Sequence, residues 1–165
     1  MNDEIHRLID ELKFKGMAGV IDQQVALVES GSSVQDIICN LLREELRYRQ
    51  ERSLINRIRN ARMPWEWTLN SFPFEQQPGV NKNQVMTLAG LDFLQRGENI
   101  IFHGKTGVGK SGLAVGILRQ ALISGSRGRF YDVQHLLDDL YASLADRSTT
   151  KLLTQLFAIH SQKWL

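Results

Sequence analysis

The chain has one cysteine and three prolines among its 165 residues. A single cysteine, Cys39, leaves no disulfide framework, which suits a reducing cytoplasm. Lying among Ile37, Ile38, Leu41 and Leu42, it reads as a small buried hydrophobe rather than a nucleophile. All three prolines, Pro64, Pro73 and Pro78, fall within residues 64–80 and mark that stretch as a linker. No apolar run approaches the roughly 18 residues of a membrane span, and the polar start MNDEIHRLID is no signal peptide. The net charge of +2 is too small to argue for nucleic acid by itself.

What is present is a phosphate-binding pattern. Gly104-Lys105-Thr106-Gly107-Val108-Gly109-Lys110-Ser111 matches G-x-x-x-x-G-K-[ST] throughout. Glycines at 104, 107 and 109 let the backbone turn tightly and aim successive N–H groups at phosphate oxygens. Lys110 is placed to reach the β- and γ-phosphates, the Ser111 hydroxyl to ligate Mg²⁺, and the following helix to point its positive end at the anion. The context fits the motif. Asn99 to His103 reads as a buried strand, and Leu113, Ala114, Ile117, Leu118, Ala121 and Leu122 recur at helical spacing up to Gly125. The alternative is a glycine-rich connector that matches by chance. With a strand before the loop and a helix after it, ATP with Mg²⁺ is the expected ligand.

Upstream, residues 1–31 read as two short helices. One carries Ile5, Leu8, Ile9 and Leu12, the other Val20, Ile21, Val25 and Val28, with Gly16 between them and Gly31 at the end. Ser33, with Asp36 three residues on, opens a longer helix that should stop at Pro64. From 43 to 62 this helix holds Arg43, Arg47, Arg49, Arg52, Arg57, Arg59 and Arg62 against Glu44, Glu45 and Glu51, an excess of four positive charges. Arginine grips phosphate in a bidentate fork, so these seven are the candidate contacts to a nucleic-acid backbone. The competing reading is a solvated, salt-bridged helix surface.

The linker carries Trp65, Trp67, Phe72 and Phe74, which either stack on a base or plug the joint between two domains. Asn81 should cap a helix running through Val85, Leu88, Ala89, Asp92 and Phe93 to Gly97. Arg129 to Asp132 reads as a second strand, followed by a helix with Leu136, Leu137, Leu140, Tyr141 and Leu144 and another over about 149–160. Lys163 to Leu165 could begin a third strand. The domains expected are a helical, basic region over 1–63, a linker over 64–80, and a partial nucleotide-binding domain over 81–165.

A working P-loop ATPase also needs an acidic strand end for Mg²⁺. Asp138 and Asp139 are the only tempting pair, but the helical spacing around them makes them helix-surface groups. No sensor residue or arginine finger has a candidate. The expected fold class is α/β: an N-terminal α-helical region, then an incomplete P-loop NTPase parallel sheet with flanking helices, C-terminally truncated.

The ordered segments Gly16-Met17, Arg57 to Arg62, Phe72-Pro73-Phe74, Gln77 to Val80, Leu94 to Ile100, Gly104 to Ser111 and Arg129-Phe130-Tyr131 together resemble the IstB proteins of insertion sequences, relatives of the DnaC helicase loaders within the AAA+ ATPases. The resemblance covers nearly the whole chain. It implies an ATP-regulated helper of transposition that binds double-stranded DNA through its N-terminal helices, forms a homo-oligomer on it, and assists a cognate transposase. Gly104, Gly107, Gly109, Lys110 and Ser111 take the phosphate and Mg²⁺ roles. Two rivals are a replicative helicase loader of the DnaC type and a truncated, non-catalytic DNA-binding fragment whose P-loop is vestigial.

Overall fold

The computed structural model describes residues 2–29 and 31–161. It divides into two compact units, Met1–Ile55 and Asn56–Leu165.

The first unit contains α1 (Asn2–Glu11), α2 (Lys15–Ala18), α3 (Ile21–Glu29) and most of α4 (Val34–Asn60). Its apolar residues serve the core unevenly. Ile9, Ile21 and Ile37 are buried, whereas Leu8, Leu12 and Val28 of the same predicted stripes stay exposed. Cys39 is half-buried.

Gly16 does not separate two helices; it lies inside α2. Its missing side chain lets α2 approach the backbone of α4, where a Cβ would come within 2.6 Å of the Glu44 carbonyl oxygen. The contact is fixed by Glu45, only 5% exposed, whose Oε2 accepts the Gly16 N–H at 2.8 Å and the Met17 N–H at 3.3 Å. Arg49 Nε donates to Oε1 at 2.6 Å, and its guanidinium lies over the Phe14 ring.

Burial opposes the Glu45 charge. The Arg49 hydrogen bond, the two backbone N–H groups and the Arg49 charge outweigh it and hold the carboxyl below its ordinary 4.5. The unfolded chain therefore binds this proton more readily than the folded one, so the stabilisation is present above about 4.5 and is lost as pH falls through the folded value. A pH series of denaturant unfolding should show the first unit weakening on acidification. In Glu45→Gln the dependence should be shallower and the plateau at neutral pH lower. An unaltered profile would mean that Glu45 does not hold α2.

The second unit holds the last turn of α4, two 3₁₀ turns (Leu69–Ser71 and Phe74–Gln76), α5 (Lys82–Ala89), α6 (Asp92–Arg96), α7 (Lys110–Ile123), α8 (Val133–Ala145) and α9 (Thr149–Ser161). Its core is Leu69, Phe72, Val85, Leu113 and Ile117, with Phe74, Leu88, Leu91, Ile100 and Phe102 packed around it. Asn81 caps α5 as expected, its side chain accepting the Gln84 N–H. The helix expected to run on to Gly97 breaks instead after Ala89, because Leu91 adopts a left-handed φ of 66° and restarts the chain as α6. At the other end, α4 stops at Asn60 rather than Pro64: Arg62 turns left-handed at φ 50°, and the buried Ala61 gives its carbonyl to the Phe130 N–H at 2.7 Å.

The expected parallel sheet is not there. Among the described residues no strand forms, and the fold is helices and irregular chain. Residues 99–103 form no regular element but keep a strand-like alternation: Ile100 and Phe102 pack on the core while Ile101 is 89% exposed. A strand, however, exists only as a member of a ladder. Residues 126–132 run irregularly, and their Phe130 N–H goes to Ala61 and not to residues 99–103. The third candidate strand, Lys163 to Leu165, lies outside the described residues.

Candidate functional site

The loop at 104–111 follows residues 99–103 and enters α7 at Lys110. Gly107 and Gly109 both sit at φ 85°, a left-handed conformation that a β-carbon disfavours. Lys110 Nζ folds back onto the loop, donating to the carbonyls of Gly104 at 2.9 Å and Lys105 at 2.7 Å. The ammonium has a third proton to offer. Ser111 is exposed, and so are Lys105, Thr106 and Gly107. A tight glycine turn, a lysine anchored across it and the N-terminus of a 14-residue helix make an arrangement suited to phosphate.

The start of α7 is packed by the linker. Its glycines at 109, 112 and 116 share one face, and a Cβ on them would meet Phe72 at 2.6 Å, Trp67 at 2.2 Å and Leu69 at 2.6 Å respectively. Leu69 and Phe72 are buried plugs, at 8% and 5% exposure. Gly112 and Gly116 were not singled out by sequence reasoning. The available signal was their cost, since each glycine in a helix interior loses up to about 1 kcal/mol against alanine. A surface hollow of about 400 Å³ beside the linker is lined by Leu69, Phe72, Phe74, Lys82 and Met86 among others, and no residue of 104–111 lines it.

Among the described residues, no cluster of three or more His, Cys, Asp or Glu could hold a metal ion. Asp138 and Asp139 are exposed on α8, as their spacing requires, and Asp138 accepts from Gln134. For Mg²⁺ the loop itself offers side-chain hydroxyls, on Thr106 and Ser111, and no carboxylate.

The seven arginines do not form one basic face. At about 3.6 residues per turn, Arg43 and Arg47 lie on one side of α4 and Arg49 and Arg52 on another. Five bond to residues three or four positions earlier: Arg43 to Asn40, Arg47 to Glu44, Arg49 to Glu45, Arg52 to the Tyr48 hydroxyl and Arg59 to Asn56. Arg57 differs. Half-buried, its Nε donates to the Leu122 carbonyl at 2.9 Å, in the last turn of α7. Arg62 is exposed at the end of the helix.

With this geometry in place, the family model described as IstB-like ATP binding protein matches residues 7–161. The chain belongs to that family. It is similar to a protein named for ATP binding in insertion sequence IS21 of Pseudomonas aeruginosa, 32% identical over 93% of this chain and 58% of the relative. A second, named for insertion sequence IS5376 of Geobacillus stearothermophilus, is 31% identical over 85% and 56%. A third, from Mycobacterium tuberculosis, is 32% identical over 83% and 55%. The IstB-like chain thus spans somewhat more than half the length of the curated relatives it matches. Among its described residues no helix is long and apolar enough to cross a membrane.

Proposed function

We propose that this IstB-like chain binds ATP at residues 104–111 and serves as a helper of DNA transposition. The observation that carries the reading is the loop itself: Gly107 and Gly109 at φ 85°, with Lys110 bridging Gly104 and Lys105 at the head of α7. Phosphate oxygens would accept from the loop's backbone N–H groups and the Lys110 ammonium, and the Ser111 hydroxyl would help hold a Mg²⁺ ion that offsets the phosphate charge. Its family and its relatives' names support the placement in insertion sequences. On this reading double-stranded DNA meets the exposed Arg43, Arg47, Arg52, Arg59 and Arg62. Arg49 and Arg57 are largely committed to Glu45 and to α7. A cognate transposase and further copies of the chain are the proposed partners, in the cytoplasm.

The test is a titration with a fluorescent ATP analogue and Mg²⁺, run beside Lys110→Ala. Saturable binding that weakens at least tenfold in the variant is expected. Equal binding by both proteins, or none by either, would overturn the reading. The DNA half has its own check. Duplex affinity should fall steeply between 50 and 200 mM salt, since phosphate contacts release about 0.9 counterion each. Arg43→Ala with Arg47→Ala should flatten that slope by close to two units without changing sequence preference. A slope near zero would remove the arginines from the interface.

A further inference from the structure

The linker beside α7 divides sharply. Leu69 and Phe72 are plugs, but Trp65 and Trp67 of the same stretch remain 49% and 44% exposed. Their rings lie 6.0 Å apart, tilted by 38°. The Cζ3–Cε3 edge of the Trp67 ring lies against Gly112, so close that a Cβ there would come within 2.2 and 2.3 Å. Gly112 directly follows Ser111. An indole therefore rests on the first turn of the helix whose N-terminus carries the candidate phosphate loop, and it presents much of its surface outward beside a second indole.

Core packing accounts for the buried edge of Trp67 and not for this exposed pair. Large aromatic surface left in water at the rim of a phosphate site suits a flat, weakly polar ligand group tethered to those phosphates. We infer that Trp65 and Trp67 form the stacking surface for the base of the nucleotide whose phosphates sit at 104–111. The inference rests on that reading of the loop and deepens it: the ligand is a purine nucleoside triphosphate, bound at its phosphates by the glycine turn and Lys110 and at its base by indole faces. Stacking reads area rather than exocyclic groups, so ATP and GTP should bind within a few-fold of each other and CTP more weakly.

Calorimetric titrations of ATP, CTP and inorganic tripolyphosphate, all with Mg²⁺, separate the two claims. Trp65→Ala and Trp67→Ala should each weaken ATP about tenfold and leave tripolyphosphate unchanged. Trp65→Phe and Trp67→Phe should recover most of the loss. The phenylalanine variant at 67 keeps a ring on Gly112, so a folding defect is told apart from a lost stack. Equal losses for ATP and tripolyphosphate would show that the tryptophans only shape the loop, and the inference falls. Unchanged ATP affinity in both alanine variants also overturns it, including the case in which they instead lose affinity for a single-stranded oligonucleotide. Tripolyphosphate that fails to bind the unaltered protein, or that ignores Lys110→Ala, overturns the phosphate reading and the inference with it.

Discussion

Alanine in place of Gly16 is expected to unfold the N-terminal helical unit or bring it close to unfolding. The new Cβ would lie 2.6 Å from the Glu44 carbonyl oxygen, 2.7 Å from the Glu45 Cα and 2.9 Å from the Glu44 carbonyl carbon. All three are backbone atoms in the middle of α4, where no rotamer change gives relief. The only escape is for α2 to move away, which lengthens the 2.8 Å bond from the Gly16 N–H to Glu45 and strands a buried carboxylate. Overpacking costs about 1–3 kcal/mol and an under-satisfied buried acceptor about as much again. Alanine's better helix propensity returns at most about 1 kcal/mol, and little of that in a four-residue helix. The net loss, about 2–4 kcal/mol, is a large share of what a small unit has. Denaturant unfolding followed by circular dichroism measures it. A midpoint within error of the parent would mean that α2 does not seat on α4.

Gly16 also shows where sequence reasoning reached its limit. As a glycine between two apolar stripes it reads as a break, and nothing local says otherwise. Its role is set by Glu44 and Glu45, about thirty residues further on. The strands failed for the same reason. The alternation of Ile100, Ile101 and Phe102 is local and is realised, with two residues inward and one outward, but a ladder needs a partner that a pattern cannot supply. Features decided within one or two turns were legible. The Asn81 cap was readable, as was the helical placement of Asp138 and Asp139. The pairing of Arg47 with Glu44 and of Arg49 with Glu45 follows from spacings of three and four. Arg57 was not separable from its neighbours on that basis, because its partner carbonyl, on Leu122, lies 65 positions away. In the candidate site the loop was plain from its spacing. The glycines at 112 and 116 that seat the linker on α7 were visible only as an unexplained cost to helix propensity.

Those two glycines should respond to alanine in opposite ways, and Gly116→Ala carries the larger penalty. At Gly116 a Cβ would meet Leu69 Cδ2 at 2.6 Å and Cγ at 3.1 Å, and the Leu69 backbone nitrogen at 3.3 Å. Leu69 is buried in the core and begins a 3₁₀ turn capped reciprocally by Thr68 and Ser71, so neither its side chain nor its backbone can yield cheaply. The overpacking cost of about 1–3 kcal/mol therefore exceeds the gain of about 1 kcal/mol from replacing a helix-interior glycine, and the second unit should lose stability. At Gly112 the obstructing atoms all belong to the Trp67 ring, which is nearly half exposed and can swing toward solvent. There the propensity gain survives, and Gly112→Ala should be neutral or slightly stabilising while displacing the indole from the first turn of α7. Thermal unfolding of the two variants should place Gly116→Ala several degrees below the parent and Gly112→Ala at or above it. If Trp67 stacks on the base, Gly112→Ala will also bind ATP more weakly than tripolyphosphate affinity alone would require. The reverse order of stabilities would mean that Trp67, and not Leu69, holds the linker against the phosphate-loop helix.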